Sequence, residues 1–385
     1  MKPVKPVSFA IIGAGIGGLA TAALLLRAGH RVQVYEQATR FARVGAGIQM
    51  APNAVKVLRH LGIEDVLRRT AFQADFAISR TWDTGVETSR LPLGSEVERA
   101  FGAPYLFLHR ADLHAAIAGI VPPEVVHLGM KLAAIDQDPQ GVDLRFTDGT
   151  SARADAVIGA DGVHSLVRET LLGPETPRFT GRVAYRTTYA SDRLRGLKLA
   201  PVRTKWWGPD RHMVVYYVTR AQDELYFVTS VPERAEWTTP ESWSAKGDLD
   251  ELRAAYAGFH PEVQAILEAC PEVFKWALFE RDPLARWSDG RIALLGDACH
   301  PMTPYMAQGA ASALEDAAVL SRCLRRVEPD GVQEAYQLYE RIRKPRASDI
   351  QAGSSANNWL RDKTDPGWVY GYDASTVDLE DAAGH

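Results

Sequence analysis

Three glycines near the start of the chain are spaced as they are in loops that bind dinucleotides. Gly13, Gly15 and Gly18 form the pattern G-x-G-x-x-G within the stretch "FAIIGAGIGGLATAALLLRAGHRVQVYEQ", residues 9–37. In such a loop the first glycine permits a tight turn, the second lets backbone amides approach a pyrophosphate, and the third lets a helix pack closely on a sheet. The helix that follows directs free N–H groups and a partial positive charge at the phosphates.

An acidic residue follows this loop at the distance expected for ribose recognition. Glu36 ends the segment "HRVQVYE", and a carboxylate there accepts hydrogen bonds from both hydroxyls of an adenosine ribose. It also disfavours the 2′-phosphate of NADP, so we expect NAD or FAD in this loop. A glycine-rich turn without a ligand is the alternative. Strand, loop, helix, second strand and acid together favour dinucleotide binding.

Two later segments place an aspartate after a short apolar stretch. "GADGVHSLVR" contains Asp161, and "LLGDACHPMTPYMAQGA" contains Asp297, with Gly309 at the start of a predicted helix. Taken singly, Asp161 is more often a helix N-cap and Asp297 a turn former. In the same way, His300 is expected to be a buried core histidine. Only the three motifs together, in this order, indicate a shared function.

The elements that must position these motifs alternate in type along the first half of the chain. Buried strands are predicted at residues 7–12 and 154–162, a helix at 17–28 and an alternating strand at 30–36, which gives one parallel βαβ unit. Further helices are predicted at 52–61 and 109–121. Strands and loops are expected over 71–108, and strands over 125–158 with a tight turn at 148–150.

The sequence changes character at residues 178–232, which are rich in β-branched and aromatic residues between polar turns. We expect an antiparallel sheet in a separate layer, inserted between the nucleotide-binding elements. Helices are predicted at 248–259 and 261–270, a buried strand at 290–297, and helices over 310–361. The acidic tail from Asp373 is poor in apolar residues, so we expect it to fray.

Composition argues against several classes of function. The chain has 385 residues, 46% of them hydrophobic, which is ample for a core, and its net charge of −4 gives no sign of nucleic-acid binding. Cys270, Cys299 and Cys323 lack the spacing of a disulfide framework or a metal site. Glycines interrupt the first apolar run, so we expect no signal peptide, no membrane span and a cytoplasmic protein.

The three motifs, in this order and spacing, resemble those of the FAD-dependent aromatic hydroxylases, the single-component flavin monooxygenases of the p-hydroxybenzoate hydroxylase and salicylate hydroxylase type. The resemblance runs from residue 9 to about residue 372. It implies an α/β fold with a Rossmann-type FAD-binding domain, an interleaved antiparallel-sheet substrate domain, and C-terminal helices. The implied FAD-binding domain is discontinuous and comprises residues 1–75, 100–177 and 280–325. Residues 76–99 and 178–279 form the substrate domain, and residues 326–385 form the C-terminal helices and tail.

The resemblance also implies roles for individual residues. Arg110, which alone would more often be a solvated surface arginine, is implied to contact FAD near its pyrophosphate and ribityl chain. Asp161 is implied to serve both FAD and a visiting reduced nicotinamide, and Asp297 to accept hydrogen bonds from the ribityl hydroxyls. Gly309 and Ala310 are implied to direct N–H groups at N1 and O2 of the flavin. The full implied set of FAD-binding residues is Gly13, Gly15, Gly17, Glu36, Gln37, Gly47, Arg110, Leu132, Asp161, Asp297, Gly309 and Ala310.

A second glycine loop for NADH or NADPH is absent from the sequence. In the resembled family this co-substrate visits, reduces FAD and leaves, without a Rossmann domain of its own. Disulfide reductases would carry a second loop and a CxxxxC pair, and flavin-dependent halogenases a WxWxIP stretch that "KWWG" at 205–208 does not match. A flavin reductase or desaturase, or a non-catalytic flavin-binding protein, stays open as an alternative.

Segments outside the flavin motifs resemble the branch of the family that hydroxylates 6-hydroxynicotinate, namely "TKWWGPDRHMVVYY", "GDACHPM" and "DPGWVYGYD". This implies that His212 and Tyr216 face the substrate, although Tyr216 could equally be an aromatic core residue of the sheet. Gln49 and Tyr305 stand where that branch has histidines. Because Gln49 cannot act as a base, proton abstraction would fall to Tyr216, His212 or a water chain.

The implied reaction is hydroxylation of an electron-rich hydroxylated aromatic or pyridine carboxylate with NAD(P)H and O2 through a flavin C4a-hydroperoxide. Carbon dioxide leaves where the attacked carbon carries the carboxylate, and salicylate- or hydroxybenzoate-type hydroxylation without decarboxylation is the alternative. Arg203, Arg211 and His212 are candidates to bind the anionic substrate. We expect no metal, nucleic-acid or membrane partner, and a monomer or homodimer.

Overall fold

The predicted motifs lie on a framework of β-strands. The protein is described by a computed structural model that covers residues 5–43, 46–233, 245–359 and 365–379. In chain order the strands are β1 (Ser8–Ile12), β2 (Arg31–Glu36), β3 (Gly47–Met50), β4 (Phe76–Thr81), β5 (Glu87–Pro92), β6 (Leu106–His109), β7 (Val126–Leu128), β8 (Leu132–Asp138), β9 (Gly141–Phe146), β10 (Ser151–Ala154), β11 (Ala156–Gly159), β12 (Arg178–Ala190), β13 (Arg203–Trp207), β14 (His212–Tyr217), β15 (Glu224–Pro232), β16 (Phe274–Glu280), β17 (Ser288–Asp289) and β18 (Ile292–Leu294).

Helices occupy the predicted stretches, and four more lie outside them, α3, α4, α6 and α11. The second of these lies within 71–108, where only strands and loops are expected. It has seven residues and a single buried position, Val97, which is too little to reveal a helical period. The helices are α1 (Ile16–Arg27), α2 (Pro52–His60), α3 (Glu64–Thr70), α4 (Ser95–Phe101), α5 (Arg110–Ala118), α6 (Leu166–Leu172), α7 (Leu249–Ala255), α8 (Pro261–Ala269), α9 (Gly309–Leu324), α10 (Val332–Ser355) and α11 (Gly367–Tyr370).

The strands around the glycine loop form a six-stranded sheet in the order β17–β18–β11–β1–β2–β7. β1 pairs in parallel with both β2 and β11, and β11 pairs in parallel with β18, so the predicted βαβ unit is confirmed. The carboxyl ends of parallel strands meet at one edge of a sheet. The three motifs follow β1, β11 and β18, and this topology therefore brings them together.

The aromatic stretch contributes β12 to β15 to a seven-stranded sheet in the order β16–β12–β15–β14–β13–β4–β5. Its pairs are antiparallel as predicted, except that β13 runs parallel to β4, with Arg203 opposite Ala77. The parallel pair was not predicted because β4 (residues 76–81) and β13 (residues 203–207) are separated by many of the nucleotide-binding elements. The order of strands along the chain does not reveal that pairing.

The C-terminal part of the chain packs into both halves of the molecule. Tyr336 and Tyr339 of α10 are buried with the six-stranded sheet, whereas Trp359 and Tyr370 are buried with the seven-stranded sheet. The division of the chain into three regions stays a prediction. In the part of the chain that the structure describes, no helix combines the length and apolar character needed to cross a membrane.

Residues 373–379 of the tail contact the core, whereas they were expected to fray. Ala374 is fully buried, and its carbonyl accepts a hydrogen bond from Arg322 Nη1 at 3.1 Å. The Asp373 side chain accepts from the backbone N–H of Ser375 at 2.9 Å and so closes a turn. Fraying is therefore wrong for these residues, because one buried alanine and a capped turn hold them on the core.

A buried cluster of charged side chains joins α9 to α10. Arg343 lies between two carboxylates, with Nη1 2.7 Å from Glu315 Oε2 and Nε 2.8 Å from Asp316 Oδ1, and all three side chains are inaccessible to solvent. Burial alone would raise the pKa of Asp316, but His300 and Arg343 outweigh it and lower that pKa to about 2. The cluster is thus ionised, and it fixes the register of the two helices.

Replacing Arg343 by methionine should destabilise the fold strongly, because both carboxylates would stay buried without their cation. We expect a loss of about 3–5 kcal/mol of unfolding free energy, the usual result of breaking a buried ion pair from one side. Denaturant unfolding followed by tryptophan fluorescence measures it. The control is Arg153→Met, which removes an exposed arginine paired with Asp138 and Asp143. An equal shift in midpoint for the two variants would contradict the assignment.

Candidate active site

The glycine loop is shaped by close backbone contacts on one side and open space on the other. Gly13 has φ of +105°, and its N–H donates to the Tyr35 carbonyl at 2.8 Å. A Cβ atom on Gly13 would lie 2.3 Å from the Ala160 carbonyl oxygen, and one on Gly18 would lie 2.1 Å from that of Gly13. A Cβ atom on Gly15 would meet nothing within 4 Å. The open side of the loop therefore has room for a pyrophosphate beside the backbone.

Gly17 has a packing role in the structure. A Cβ atom there would lie 2.5 Å from Leu295 Cδ2 and 3.2 Å from the Ala313 Cβ. Its lack of a side chain lets α1 approach both the end of β18 and α9. The predicted contact of Gly17 with the adenosine end of FAD stays a prediction.

The predicted ribose-binding residues lie together at the end of β2. The Glu36 carboxylate accepts the Ala14 N–H at 2.8 Å, which ties it to the glycine loop. The Glu36 carbonyl accepts from the N–H of Met130 at 2.8 Å, so the start of β8, with the buried Leu132, runs alongside. Gln37 is exposed on the same segment. This grouping fits the adenosine end of a dinucleotide.

Asp161 follows β11 and lies directly beside the glycine loop. Its carboxylate accepts a hydrogen bond from Ser165 Oγ at 2.5 Å and one from the Val167 N–H at 3.2 Å. Burial raises the pKa of this carboxyl, and these two bonds lower it. The N-cap of α6 is Ser165, whose side chain accepts from the Arg168 N–H, so Asp161 is not the N-cap and instead holds Ser165 and the first turn of the helix. A contact with FAD or nicotinamide stays a prediction for this residue.

Asp297 and Arg110 face the same crevice from different elements. Burial raises the pKa of the Asp297 carboxyl, while the nearby charges of His300 and Arg110 lower it. Burial likewise lowers the pKa of Arg110, and Asp297 raises it. The Arg110 side chain is accessible to solvent, yet it lies in a recess where surrounding protein displaces much of its water. Among the described residues, none donates a hydrogen bond to the Asp297 carboxylate.

The start of α9 offers backbone donors beside this aspartate. A Cβ atom on Gly309 would lie 3.9 Å from Asp297 Oδ1. The N-cap residue Gln308 makes no capping bond with its side chain. Within the described chain, the N–H groups of Gly309 and Ala310 have no acceptor, as is usual for the first turn of a helix. A ligand with acceptor atoms or negative charge would be stabilised here.

The buried charged cluster holds these groups in place. Asp316 Oδ2 accepts from the Gly296 N–H at 3.1 Å and from His300 Nε2 at 2.5 Å, and so fixes the turn that carries Asp297. Asn53 Nδ2 donates to Gln308 Oε1 at 2.9 Å, which anchors the start of α9. His300 is buried as expected, although its Nδ1 atom has no partner among the described residues.

These observations fit FAD along its whole length. The open face of the glycine loop, the Glu36 carboxylate, the Asp297 carboxylate without a donor and the free N–H groups of α9 occur where its pyrophosphate, ribose, ribityl chain and flavin ring would need them. The family described as "FAD binding domain" matches residues 6–354. The chain belongs to this family of FAD-dependent aromatic hydroxylases.

Relatives of this hydroxylase agree on the chemistry and differ in substrate. It is 49% identical over 367 residues to 6-hydroxynicotinate 3-monooxygenase of Bordetella bronchiseptica, with 94% of both chains covered. It is 41% identical to 3-amino-4-hydroxybenzoate 2-monooxygenase PtmB3 of Streptomyces platensis, with 96% of both chains covered. A substrate complex of salicylate hydroxylase has a TM-score of 0.82 at 27% identity and covers 98% of this chain and 97% of that one. The predicted fold is confirmed, and the protein is an FAD-dependent aromatic-ring monooxygenase.

The hydroxylase has a cavity between the seven-stranded sheet and the segment that leads into α9. It is narrow, with a cavity volume of about 40 Å³, room for about three water molecules, so a ring ligand can enter only when the lining side chains move apart. Residues 304–307 form one wall and lie immediately before the N-cap of α9. The cavity is therefore next to the backbone donors assigned to the flavin.

His212 lines this cavity. Its imidazole ring is buried, and among the described residues the ring nitrogens make no hydrogen bond. Burial lowers the pKa of His212 well below 6.5, and the charges of Lys205, Arg182 and Arg203 lower it further. The ring is thus neutral at neutral pH.

Tyr216, the other predicted substrate-facing residue, is not among the residues that line the cavity. Its ring packs against Phe107 and Tyr226 at centroid distances of 4.9 and 5.0 Å. Its hydroxyl oxygen would lie 2.9 Å from a Cβ atom on Gly47. Burial raises the pKa of Tyr216 well above 10. These contacts fit an aromatic core residue, although the hydroxyl also interacts with Gln49, which lines the cavity. A contact of Tyr216 with the substrate stays a prediction.

The other residues predicted to bind the substrate differ in whether they line the cavity. Gln49 lines the cavity, and its Oε1 accepts from the Tyr105 hydroxyl at 2.9 Å. Arg203 lines the cavity, whereas Arg211 is paired with Asp210 at 2.7 Å and is not part of the lining. The cavity is also lined by residues that were not predicted, namely Tyr105, Lys205, Thr229, Trp359 and Tyr370. Period-two alternation along β13, which places residues 203 and 205 on one face, could have found Lys205.

Replacing Asp297 by alanine should weaken FAD binding by about 10- to 100-fold, the effect expected when an ionised hydrogen-bond acceptor is lost. The measurement is the ratio of flavin to protein absorbance after purification, followed by titration of the stripped protein with FAD. The exposed Asp282 provides a control variant, Asp282→Ala, which should bind FAD normally. An Asp297→Ala protein that retains flavin with unchanged affinity would exclude this role.

Proposed function

We propose that this enzyme hydroxylates a hydroxypyridine carboxylate of the 6-hydroxynicotinate type, with release of CO2 from the carbon that is attacked. The observation that carries the proposal is the charge of the cavity. Two of its lining residues are cationic, Arg203 and Lys205, and none of the described lining residues is acidic. An anionic ring compound is the ligand that such a cavity favours. Two relatives at 49% and 47% identity are 6-hydroxynicotinate 3-monooxygenases, which supports the same substrate class.

FAD, when bound, supplies the acceptor for hydride from NADH or NADPH and the means to activate O2. The protein must prepare the ring for attack by an electrophilic oxygen. Neutral His212 accepts the proton of the ring hydroxyl, which raises electron density at the ortho and para carbons. Its ring nitrogens have no partner among the described residues, and its lowered pKa keeps the ring in the basic form at neutral pH, although it also makes the ring a weaker base. Tyr216 would need a large further stabilisation of its anion to do the same.

The walls of the cavity protect the reaction from water. Tyr105, Tyr370 and Trp359 are buried aromatic residues that line it, together with Met306 from the segment before α9. Excluding water from this space prevents loss of the activated oxygen as H2O2. When the attacked carbon carries the carboxylate, CO2 leaves as the ring regains its aromaticity.

A substrate panel tests this function directly. FAD-loaded enzyme, NADH and air are combined in turn with 6-hydroxynicotinate, 4-hydroxybenzoate, 3-hydroxybenzoate and salicylate. We expect 6-hydroxynicotinate to stimulate NADH and O2 consumption most, with one CO2 released per turnover. Stimulation by a benzoate without CO2 would replace the proposal by plain hydroxylation, as in the relative named 3-amino-4-hydroxybenzoate 2-monooxygenase. If no compound stimulates oxygen use, a flavin reductase becomes the better assignment.

His212→Asn should lower kcat by about 100-fold or more, the usual effect of removing a general base. Tyr216→Phe, which alters a packed aromatic residue, should retain most of the activity. Stopped-flow measurement of the hydroxylation step separates this effect from that of slow flavin reduction. If the large loss occurs in Tyr216→Phe and not in His212→Asn, the roles are reversed.

The pH dependence of kcat/KM reports the state of His212 in the free enzyme. Because its pKa lies well below 6.5, the basic form persists as pH falls. We expect kcat/KM, corrected for ionisation of the free substrate, to stay level from about pH 8 to about pH 6, a range in which an ordinary histidine would become protonated. If kcat/KM falls to half its value near pH 6.5 in the wild-type enzyme but not in His212→Asn, the pKa of His212 is not lowered.

A further inference from the structure

Arg203 is a cation buried without an anion. Its side chain is only 6% exposed, and its Nε atom has no hydrogen-bond partner. Among the described residues, none forms an ion pair or a hydrogen bond with its guanidinium. Burying a charge in this way is costly unless the charge is compensated.

Other buried arginines in the protein have partners that compensate for the burial of their charge. Arg343 contacts two carboxylates, Arg281 lies 3.5 Å from Glu175, and Arg168 donates to two backbone carbonyls. Arg203 differs from all three, since its guanidinium faces the substrate cavity. Such a group is satisfied when an anionic ligand enters.

The groups around Arg203 are neutral hydroxyls. Burial lowers the pKa of its guanidinium, and the side chains that raise it are Tyr105, Tyr370 and Tyr216. Burial raises the pKa of Tyr105 to about 12, and it raises that of Tyr370 well above 10. These phenols are therefore protonated at neutral pH. They can donate hydrogen bonds but cannot neutralise the arginine.

Lys205 is the other cation of the cavity, and its position differs. Its ammonium lies 3.7 Å from the centroid of the Trp207 ring, which engages it in a cation–π contact. Lys205 lowers the pKa of His212 more than Arg203 does, and on β13 it is two positions nearer to Trp207, the residue opposite His212. The guanidinium of Arg203 presents the fork of donors that matches a carboxylate.

Strand register separates Arg203 from His212. On β13, residues 203, 205 and 207 point to one face, and Trp207 is opposite His212 on β14. Arg203 is thus four positions from the histidine, about 13 Å along the strand at roughly 3.3 Å per residue. A ring held between these two ends must have its acidic group and its hydroxyl on opposite sides.

We infer that Arg203 binds the carboxylate of the substrate in a bidentate contact and so selects aromatic acids whose hydroxyl is para to the carboxylate. This inference rests on the proposed function and specifies which substrates it covers. The carboxylate lies at the end formed by Arg203, Tyr105 and Tyr370. The ring hydroxyl lies at the other end, next to His212. Acids with the hydroxyl ortho to the carboxylate cannot reach both ends.

The test compares two ligands that differ only in the carboxylate, 6-hydroxynicotinate and 2-hydroxypyridine. Their dissociation constants are measured from the change in flavin absorbance of the FAD-loaded enzyme without NADH. Arg203→Gln should weaken 6-hydroxynicotinate binding by about 10- to 100-fold, as for a lost charge-assisted contact, and change 2-hydroxypyridine binding by less than about twofold. Arg203→Lys should restore part of the loss. Arg211→Gln is the matched control, and it should alter neither constant.

Equal weakening of both ligands, or no weakening of either, would overturn the assignment of Arg203. If the variants do not retain FAD, wild-type enzyme gives the answer with a second pair of ligands, 6-hydroxynicotinate and 6-hydroxynicotinamide. The amide should bind at least about tenfold more weakly, since it lacks the charge that pairs with the guanidinium. Equal affinities would overturn the inference.

Orientation is tested with salicylate, whose hydroxyl is ortho to the carboxylate. It should bind at least about tenfold more weakly than 4-hydroxybenzoate, because one of its two polar groups is left unpaired. The failure of this inference is distinct from that of the proposed function. If wild-type enzyme turns over an aromatic acid but prefers neither the carboxylate over the amide nor the para over the ortho hydroxyl, only the role of Arg203 is excluded.

Discussion

The carboxylate of Asp316 holds together the elements that are predicted to bind the flavin. It accepts hydrogen bonds from the backbone of Gly296, from His300 and from Arg343, and it does so while fully buried. One contact fixes the turn that presents Asp297, and another joins α9 to α10. Because α9 begins beside that turn, the same carboxylate sets the position of the backbone donors assigned to the flavin. A buried charge held by several partners stays rigid.

The two sheets meet where the chemistry takes place. Gly47 belongs to the nucleotide-binding part by prediction, yet a side chain there would strike the ring of Tyr226 in the seven-stranded sheet. The segment before α9 contributes Tyr305, whose hydroxyl lies 2.9 Å from Ser230 Oγ on β15. These contacts join the cavity wall to elements that are predicted to bind the flavin. Packing between the two sheets therefore fixes the position of the cavity relative to those elements.

Much of the framework could be predicted from the sequence because its signals are local. The glycine spacing, the short apolar strands and the acid at the end of β2 can each be recognised from neighbouring residues, and the structure places them as expected. The cavity has no such local signal. Tyr105, Arg203 and Tyr370 lie far apart in sequence and meet only through the fold. Tyr216 shows the converse, since its strand and burial were predictable but the direction of its hydroxyl was not.

The parallel contact between β4 and β13 has a consequence for how the chain folds. β4 is made early, together with its partner β5, but its other edge pairs with a strand that is far away in sequence. During synthesis that edge stays unpaired while the intervening segments emerge, and contacts of long range are slow to form. Exposed strand edges invite association between chains. The charged pair of Arg90 and Glu87 on β5 protects the outer edge of the sheet. In the nascent chain, the edge of β4 that later pairs with β13 is therefore the one open to aggregation.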